Sequence, residues 1–184
     1  MLAFQAGDES AFDSLVKEYQ NAAFAMLRRI LGPHAMVEDL AQEAFIRVYR
    51  AKDRYRPVGK FTTFLYRITY NLALNRVRDD GRHRLLSLPQ SPEGEPMPLP
   101  DSKAEKPWKA PNRANWADHV AQALQALPRN QRSALVFQHY DGLDLVEIGH
   151  ILDVSPPAVK SLLHRARENM RALLQPFKDA EQDE

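Results

Sequence analysis

The distribution of proline divides this chain into two parts. Seven of the thirteen prolines lie in the stretch PQSPEGEPMPLPDSKAEKPWKAP, residues 89–111. Proline lacks a backbone N–H and has a fixed φ, so regular helices and strands do not continue through such a stretch. We therefore predict a flexible Pro-rich linker at residues 87–114. It separates an N-terminal unit, residues 1–86, from a C-terminal unit, residues 115–178, and an acidic tail follows at residues 179–184.

Apolar residues recur at helical spacing in both units, and no sustained strand alternation occurs. The predicted helices cover about residues 12–30, 34–50 and 61–78 in the first unit and 116–127 and 130–140 in the second, before a further pair of helices. The sequence therefore predicts an all-α fold of two small helical domains.

The last pair of helices lies in YDGLDLVEIGHILDVS and the run after it. Asp144 and Glu147 have the spacing of a capping box at the start of the first helix. Pro156 and Pro157 suit the first turn of the second helix, where N–H groups have no partner, and Ser155 can cap that turn. Two short helices joined by a tight turn form the helix-turn-helix pattern, whose second helix enters the major groove of DNA.

The second helix of this pair is basic on one side only. Its apolar face comprises Val159, Leu162, Leu163, Ala166, Met170 and Leu173. The opposite face comprises Lys160, His164, Arg167 and Arg171, flanked by Ser161 and Arg165. A second basic stretch covers residues 60–86, although the net charge of the chain is only +1. Two basic patches indicate two contacts with one polyanion, although such a helix is also compatible with a simple solvated face.

Two stretches of the N-terminal unit allow a binding role beside a structural one. VEDLAQEAFIRVYR, from Val37, crowds acidic and amide groups onto one side of a helix, either as solvated surface or as a docking face for a basic partner. FTTFLYRITYNLALNRVR, from Phe61, interleaves aromatic rings with amides and arginines. That mixture suits either a core with a charged surface or the stacking and reading of single-stranded bases.

Composition excludes several classes of protein. A chain without cysteine forms no disulfide and no thiolate metal site. No apolar run approaches the ~20 residues of a membrane span and MLAFQAGDES lacks signal-peptide features, so we expect a cytoplasmic protein without membrane insertion. Glu147 and His150 have the spacing of half a di-iron site, but no second such pair exists. With no catalytic or cofactor motif, we predict no enzyme, no cofactor and no metal.

The ordered motifs resemble those of bacterial sigma factors of the extracytoplasmic-function (ECF) group, group IV of the sigma-70 family. The stretches that carry the resemblance are GDESAFDSLVKEY, DLAQEAFIRVYRA, FTTFLYRITYNLALNRVR, LPRNQRSALVFQHYDGLDLVEIGHILDVS and AVKSLLHRARENMR. The chain departs from the family at Phe64, Asp153, Pro157-Ala158 and Leu162. The resemblance implies a sigma-two bundle at residues 1–86 and a sigma-four helix-turn-helix domain at residues 115–178.

The resemblance also implies three binding surfaces and their partners. The surface for the clamp helices of the RNA polymerase core comprises Glu38, Asp39, Gln42, Glu43, Phe45 and Arg47. The surface for the minus-ten promoter element comprises Lys60, Arg67, Tyr70, Asn71, Asn75, Arg76 and Arg78, with Asn71 where the family captures a flipped base. The surface for the minus-35 element comprises Ser155, Lys160, Ser161, His164, Arg165 and Arg167. An anti-sigma factor is the implied inhibitory partner.

Two alternatives to a sigma factor account for part of the sequence. A free-standing helix-turn-helix regulator would bind operator DNA without polymerase, and it would leave both N-terminal stretches without a role. A helical adaptor would bind only proteins, and both basic patches would then be solvated surface. Binding to purified core polymerase separates the first alternative from a sigma factor, and DNA affinity separates the second.

Overall fold

The computed structural model describes residues 1–33, 36–86 and 116–182, and the side chains in these ranges except those of 80–86 and 179–182. The predicted linker and His34 lie outside the described residues. The helices are α1 (Leu2–Gln5), α2 (Ser10–Leu31), α3 (Val37–Arg50), α4 (Phe61–Leu86), α5 (Trp116–Ala126), α6 (Arg129–His139), α7 (Leu145–Leu152) and α8 (Pro156–Gln182), with a 3-10 turn at Lys52–Arg54. The described ranges contain no strand, and the predicted all-α class is confirmed.

Helices α2, α3 and α4 form the bundle of the N-terminal unit. One apolar cluster joins them through Leu27 of α2, Leu40 and Ala44 of α3, and Leu72 and Ala73 of α4. All five residues are buried, so the burial of apolar side chains from the three helices against one another explains the bundle. The bundle leaves the polar faces of α3 and α4 at the surface.

The helix-turn-helix forms as the sequence predicts. The Asp144 side chain accepts from the backbone N–H of Val146 and Glu147, and the Glu147 side chain accepts from the N–H of Asp144, which completes the capping box. Helix α7 ends at Leu152, and its C-cap residue Asp153 lies in the left-handed region, with φ 56° and ψ 47°. An aspartate tolerates this conformation better than most residues with a Cβ. Helix α8 then begins at Pro156, so proline occupies its first turn.

The two units share one continuous core. Ala23, Met26 and Ile30 of α2 belong to the same apolar cluster as Phe137 of α6 and Ile148 of α7. Helix α4 packs on α7, and α2 packs on both α5 and α6. Each unit therefore covers part of the apolar surface of the other, which brings the surfaces predicted to bind DNA close together.

Candidate functional site

The polar face of α3 borders a groove against α2. Glu38, Asp39 and Gln42 are exposed, and the Glu43 carboxylate accepts from Arg47 Nε at 2.9 Å. The groove has a volume of about 630 Å³, and its lining includes Phe24, Glu38, Gln42, Phe45 and Ile46. Phe45 is only 7% exposed, so it forms the floor, whereas Ile46 is 45% exposed at the rim. The arrangement is an apolar trough with an acidic margin, which suits a helix that carries basic residues.

The exposed polar residues of α4 form one stripe. Arg67, Asn71, Asn75 and Arg78 follow one another at intervals of four, four and three residues, and all four are exposed. This spacing places them on one helical face, as a surface that follows a nucleic-acid strand requires. Lys60 is also exposed, immediately before the first turn of α4. The structure thus brings together five of the seven residues predicted to contact the minus-ten element.

The other two residues of the minus-ten set have different surroundings. Tyr70 is 2% exposed, and its ring packs edge-on against Phe137 of the C-terminal unit at 5.8 Å. Burial raises the pKa of the Tyr70 phenol. Arg76 Nε donates to Met36 Sδ at 3.1 Å, which connects α4 to the start of α3. In this conformation Tyr70 is a residue of the shared core and presents no surface to DNA.

The predicted contact residues of α8 are all exposed. This set comprises Ser155, Lys160, Ser161, His164, Arg165 and Arg167. Arg167 Nη2 donates to Gln138 Oε1 of α6 at 2.6 Å, and His164 Nε2 lies 3.4 Å from the Glu168 carboxylate. The opposite face carries Val159 and Ala166, both 0% exposed, so burial of that face orients the basic one outward.

Two carboxylates of the C-terminal unit bind α4, and the sequence did not mark them for this role. Glu147 Oε1 lies 3.1 Å from Lys60 Nζ and accepts from Thr63 Oγ1 at 3.2 Å. Burial acts to raise the pKa of Glu147, but the Asp144 N–H, Lys60 and Thr63 together outweigh burial and lower it. No periodic signal reveals these contacts, because their partners are more than eighty positions away in the chain.

Asp141, in the turn between α6 and α7, is the second of these carboxylates. Its Oδ1 accepts from Tyr66 Oη at 3.3 Å. Burial raises the pKa of Asp141 to about 6, although the charge of Arg29 and the Tyr66 hydrogen bond act in the opposite direction. The other oxygen, Oδ2, is buried and accepts no hydrogen bond from the described residues.

The described residues offer neither a metal centre nor a membrane span. No group of three or more His, Asp or Glu side chains among them is placed to hold a metal ion. Within the same ranges, no helix combines the length and the apolar composition that crossing a bilayer requires.

Comparison with known proteins gives similarity over both units. Sigma-70 region 2 matches residues 15–83 and Sigma-70, region 4 matches residues 118–170. ECF RNA polymerase sigma factor SigE of Mycolicibacterium smegmatis is 35% identical over 171 residues, which cover 91% of this chain and 64% of that protein. RNA polymerase sigma-H factor of Pseudomonas aeruginosa is 34% identical over 183 residues, which cover 94% of this chain and 91% of that protein.

A solved structure shows the same fold. The sigma factor RpoE, in its co-crystal structure with the anti-sigma factor NepR from Bartonella quintana, has a TM-score of 0.71 at 20% identity, covering 90% of this chain and 97% of that chain. The match at residues 15–83 disfavours a free-standing regulator, which needs only a helix-turn-helix unit. ECF RNA polymerase sigma factor SigW of Bacillus subtilis is 34% identical over 170 residues, which cover 91% of this chain and 91% of that protein. The chain therefore belongs to the ECF RNA polymerase sigma factors.

Proposed function

We propose that three surfaces of this sigma factor divide promoter recognition among them. The acidic margin and apolar groove of α3 bind the clamp helices of the polymerase core. The exposed stripe of α4 binds the minus-ten element as it melts, and the basic face of α8 binds the minus-35 element as duplex. The single observation that carries this division is the exposure of Arg67, Asn71, Asn75 and Arg78 along one face of α4.

The chemistry of each surface supports its assigned ligand. Asn71 and Asn75 carry amides, which donate and accept at once and so suit the edge of an unpaired base. Arg67 and Arg78 supply cations for phosphates on the same face. The groove beside α3 accepts apolar side chains along its lining residues Phe45 and Ile46. The exposed carboxylates of Glu38 and Asp39 attract basic residues of a partner.

Three further properties complete the proposal. The protein supplies promoter specificity and the polymerase supplies catalysis, so it is not itself an enzyme. It acts in the cytoplasm, where the polymerase acts. An anti-sigma factor holds it inactive, and the support for this partner is the complex of RpoE with NepR.

The experiment compares two variants on the same promoter. Asn71→Ala should leave core binding nearly normal but impair strand opening, because a flipped base costs a few kcal/mol that its pocket must offset. The double variant Asp39→Lys with Glu43→Lys should lose core binding while remaining helical by circular dichroism. Core affinity is measured by titration with labelled protein, and opening by permanganate reactivity of unpaired thymines.

Pre-melted templates provide the control. If the minus-ten region is already opened by mismatches, Asn71→Ala should recover most of its opening defect. Parent-like opening of an ordinary duplex promoter by this variant contradicts the assignment of Asn71. Parent-like core affinity of the α3 double variant would show that the acidic face is only solvated surface.

A further inference from the structure

Helix α1 is fixed on the 3-10 turn Lys52–Arg54 that follows α3. Phe4 of α1 is 0% exposed, and its ring centroid lies 5.0 Å from that of Phe12 and 5.1 Å from that of Tyr49. Lys52 Nζ lies 4.3 Å from the centre of the Phe4 ring, as a cation over an aromatic face. So short a helix is not stable by itself, and these contacts therefore determine where α1 lies.

The Gln5 side chain bonds to the backbone at the beginning of this turn and just after its end. Its Nε2 donates to the Lys52 carbonyl at 2.7 Å and to the Tyr55 carbonyl at 3.0 Å. An amide nitrogen carries two N–H groups, so both donors of Gln5 are used here. Tyr55 has an extended backbone, with φ −60° and ψ 133°, so the regular pattern of helical hydrogen bonds ends at this residue. Gln5 thus joins the turn to α1 at the position where helical geometry ends.

The charged contacts around the turn are weaker than this bridge from Gln5. Glu9 Oε1 lies 3.2 Å from Lys52 Nζ, and Glu9 Oε2 accepts from Tyr49 Oη at 3.4 Å. The Glu9 side chain is 62% exposed, and exposed ion pairs contribute little because water screens them. Gln5 is half-buried, and both of its hydrogen bonds end on backbone atoms. The Gln5 bridge therefore has the larger effect on the path of the main chain.

Tyr55 is held by its ring as well as by its carbonyl. The residue is 6% exposed, and its ring packs edge-on against Phe64 at 4.9 Å and against Phe61 at 6.5 Å, both in the first turn of α4. Because the ring contacts α4 and the carbonyl contacts Gln5, Tyr55 connects α1 to α4. A shift of the Tyr55 carbonyl therefore moves the start of residues 56–60 relative to α4.

Residues 56–60 lead from Tyr55 to the minus-ten surface. Lys60 is the last of them, and it lines a cleft of about 350 Å³ together with Arg67, another cation of the minus-ten set. Phosphate contacts fix the register in which a strand lies, and the register decides which base meets a side chain that reads it. The position of Lys60 thus affects which base reaches Asn71.

We propose that Gln5 is a positioning residue for minus-ten recognition: its amide fixes the path of residues 55–60, and this path sets the register of the DNA strand on α4. The proposal rests on the assigned role of α4. Gln5 acts through Tyr55 and Lys60 and need not contact DNA. Helix α1 precedes residues 15–83, which match Sigma-70 region 2, so the role belongs to a part of the chain outside that match.

The test measures discrimination between minus-ten sequences. The parent holoenzyme selects one active promoter from a duplex library randomised at both elements, and run-off transcription then compares this promoter with its single-base variants. Gln5→Glu keeps the size of the side chain, removes both N–H donors and directs a carboxylate at two carbonyl oxygens. We expect the ratio between the selected promoter and its minus-ten variants to fall about three- to tenfold, because a misplaced contact loses part of the discrimination at a base. The ratio for minus-35 variants should equal that of the parent.

Control variants separate positioning from stability. Gln122→Glu makes the same substitution at an exposed residue of α5 and should leave both ratios unchanged. Gln5→Ala lets water reach the two carbonyls without a repulsive charge, so it should lower the minus-ten ratio less, and it decides the test if Gln5→Glu loses its helicity. A residue that only stabilises the fold lowers transcription from every promoter by one factor, so unchanged ratios in the Gln5 variants overturn the proposal.

Amide hydrogen exchange tests the anchor directly in the free protein. The Tyr55 N–H donates to the Ala51 carbonyl at 2.9 Å, so its exchange reports opening of the turn. In Gln5→Glu this exchange should be about fivefold faster or more, whereas the Val48 amide in α3 should exchange as in the parent. Equal exchange of the Tyr55 amide in the parent and in Gln5→Glu overturns the proposal.

Asn71→Ala distinguishes failure of the positioning role from failure of the assigned role of α4. If Asn71→Ala lowers the minus-ten ratio and neither Gln5 variant does, Gln5 has no positioning role. If Asn71→Ala also leaves the ratio unchanged, the assigned role of α4 fails, and this proposal fails with it. A lower ratio in both Asn71→Ala and Gln5→Glu, together with faster exchange of the Tyr55 amide, supports the proposal.

Discussion

At the scale of single residues, Asp141 depends on the contact between the units. Its carboxyl group lies between Tyr66 of α4 and the charge of Arg29 in α2, both in the other unit. Burial raises its pKa to about 6 from the ordinary 3.8. Because the folded state binds this proton more tightly than the unfolded chain, Asp141 stabilises the fold fully below about pH 4, and this contribution is lost as the pH rises through 6.

Asp141→Asn should therefore stabilise the protein at neutral and alkaline pH. The amide resembles the protonated acid, and its oxygen still accepts from the Tyr66 hydroxyl. We expect a melting temperature about 1–3 °C above that of the parent at pH 8. This increase is smaller than the pKa shift of Asp141 alone would give, because the carboxyl group is partly exposed to solvent. The difference should shrink near pH 4.5, and Asp53→Asn, at an exposed carboxylate, should show no such pattern. A pH-independent difference would contradict the assignment.

At the scale of elements, the turn between α7 and α8 passes directly over Gly149. A Cβ at this position would lie 2.7 Å from the Val154 carbonyl oxygen and 3.8 Å from Val159 Cγ2. The Gly149 carbonyl also accepts from the Val154 N–H at 3.1 Å. The close approach of the backbone, and not an unusual φ, requires glycine at this position. The same approach determines the angle between α7 and α8.

Gly149→Ala should push the turn away from α7. We expect a loss of roughly 1–3 kcal/mol in the free energy of unfolding, as for other overpacked sites, measured by urea titration. Binding to the minus-35 element should weaken because α8 is displaced. Gly59→Ala is the matched control, because its added Cβ meets nothing within 4 Å. Equal stability of the two variants would show that the turn adjusts freely.

The basic face of α8 leads to a second prediction for an element. Lys160→Ala and Arg165→Ala should each lower the slope of log K against log salt by about one, if each side chain neutralises a phosphate. The measurement is holoenzyme binding to a minus-35 promoter between low and moderate salt. Lys178→Ala removes the same charge from an exposed position of α8 outside the predicted set, and its slope should match that of the parent. A parent-like slope in both test variants would show that neither Lys160 nor Arg165 neutralises a DNA phosphate.

At the scale of the whole molecule, the shared core joins two units into one compact body. Ile30 of α2 and Phe137 of α6 belong to one cluster, and Arg132 bonds to Ile30, Gln125 and Leu127 at once. Charge and hydrogen bonds then orient the units relative to each other. The free protein should therefore be much smaller than two separated domains.

Small-angle scattering should measure this compactness directly. A compact chain of this length has a radius of gyration of about 16 Å by the usual scaling, and we expect a value below about 20 Å for the free protein. A radius clearly above about 20 Å would show that the two units separate in the free protein.

The features that the sequence predicts are those determined by local interactions. Helix α3, the capping box at Asp144 and the exposed face of α8 depend on residues at most four positions apart, whose geometry any helix imposes. Helix α4 continues to Leu86, beyond the predicted end at Arg78, because the later residues form hydrogen-bonded helix without an apolar stripe to mark it. The described part of the chain thus has nearly the helices that periodicity predicts.

Tertiary structure alone decided how those helices meet. The sequence places Tyr70 in a stretch that suits either a core or base stacking, but it does not show that Phe137 covers the Tyr70 ring. The capping-box spacing identifies Glu147 as a capping residue. It does not reveal the ion pair of Glu147 with Lys60, because these two residues lie 87 positions apart. The sequence alone determined the helices, the capping box of α7 and the charge of the helix faces, because these follow from neighbours in the chain. Which face covers which depends on the packing of the whole molecule, and that packing buries Tyr70 against Phe137.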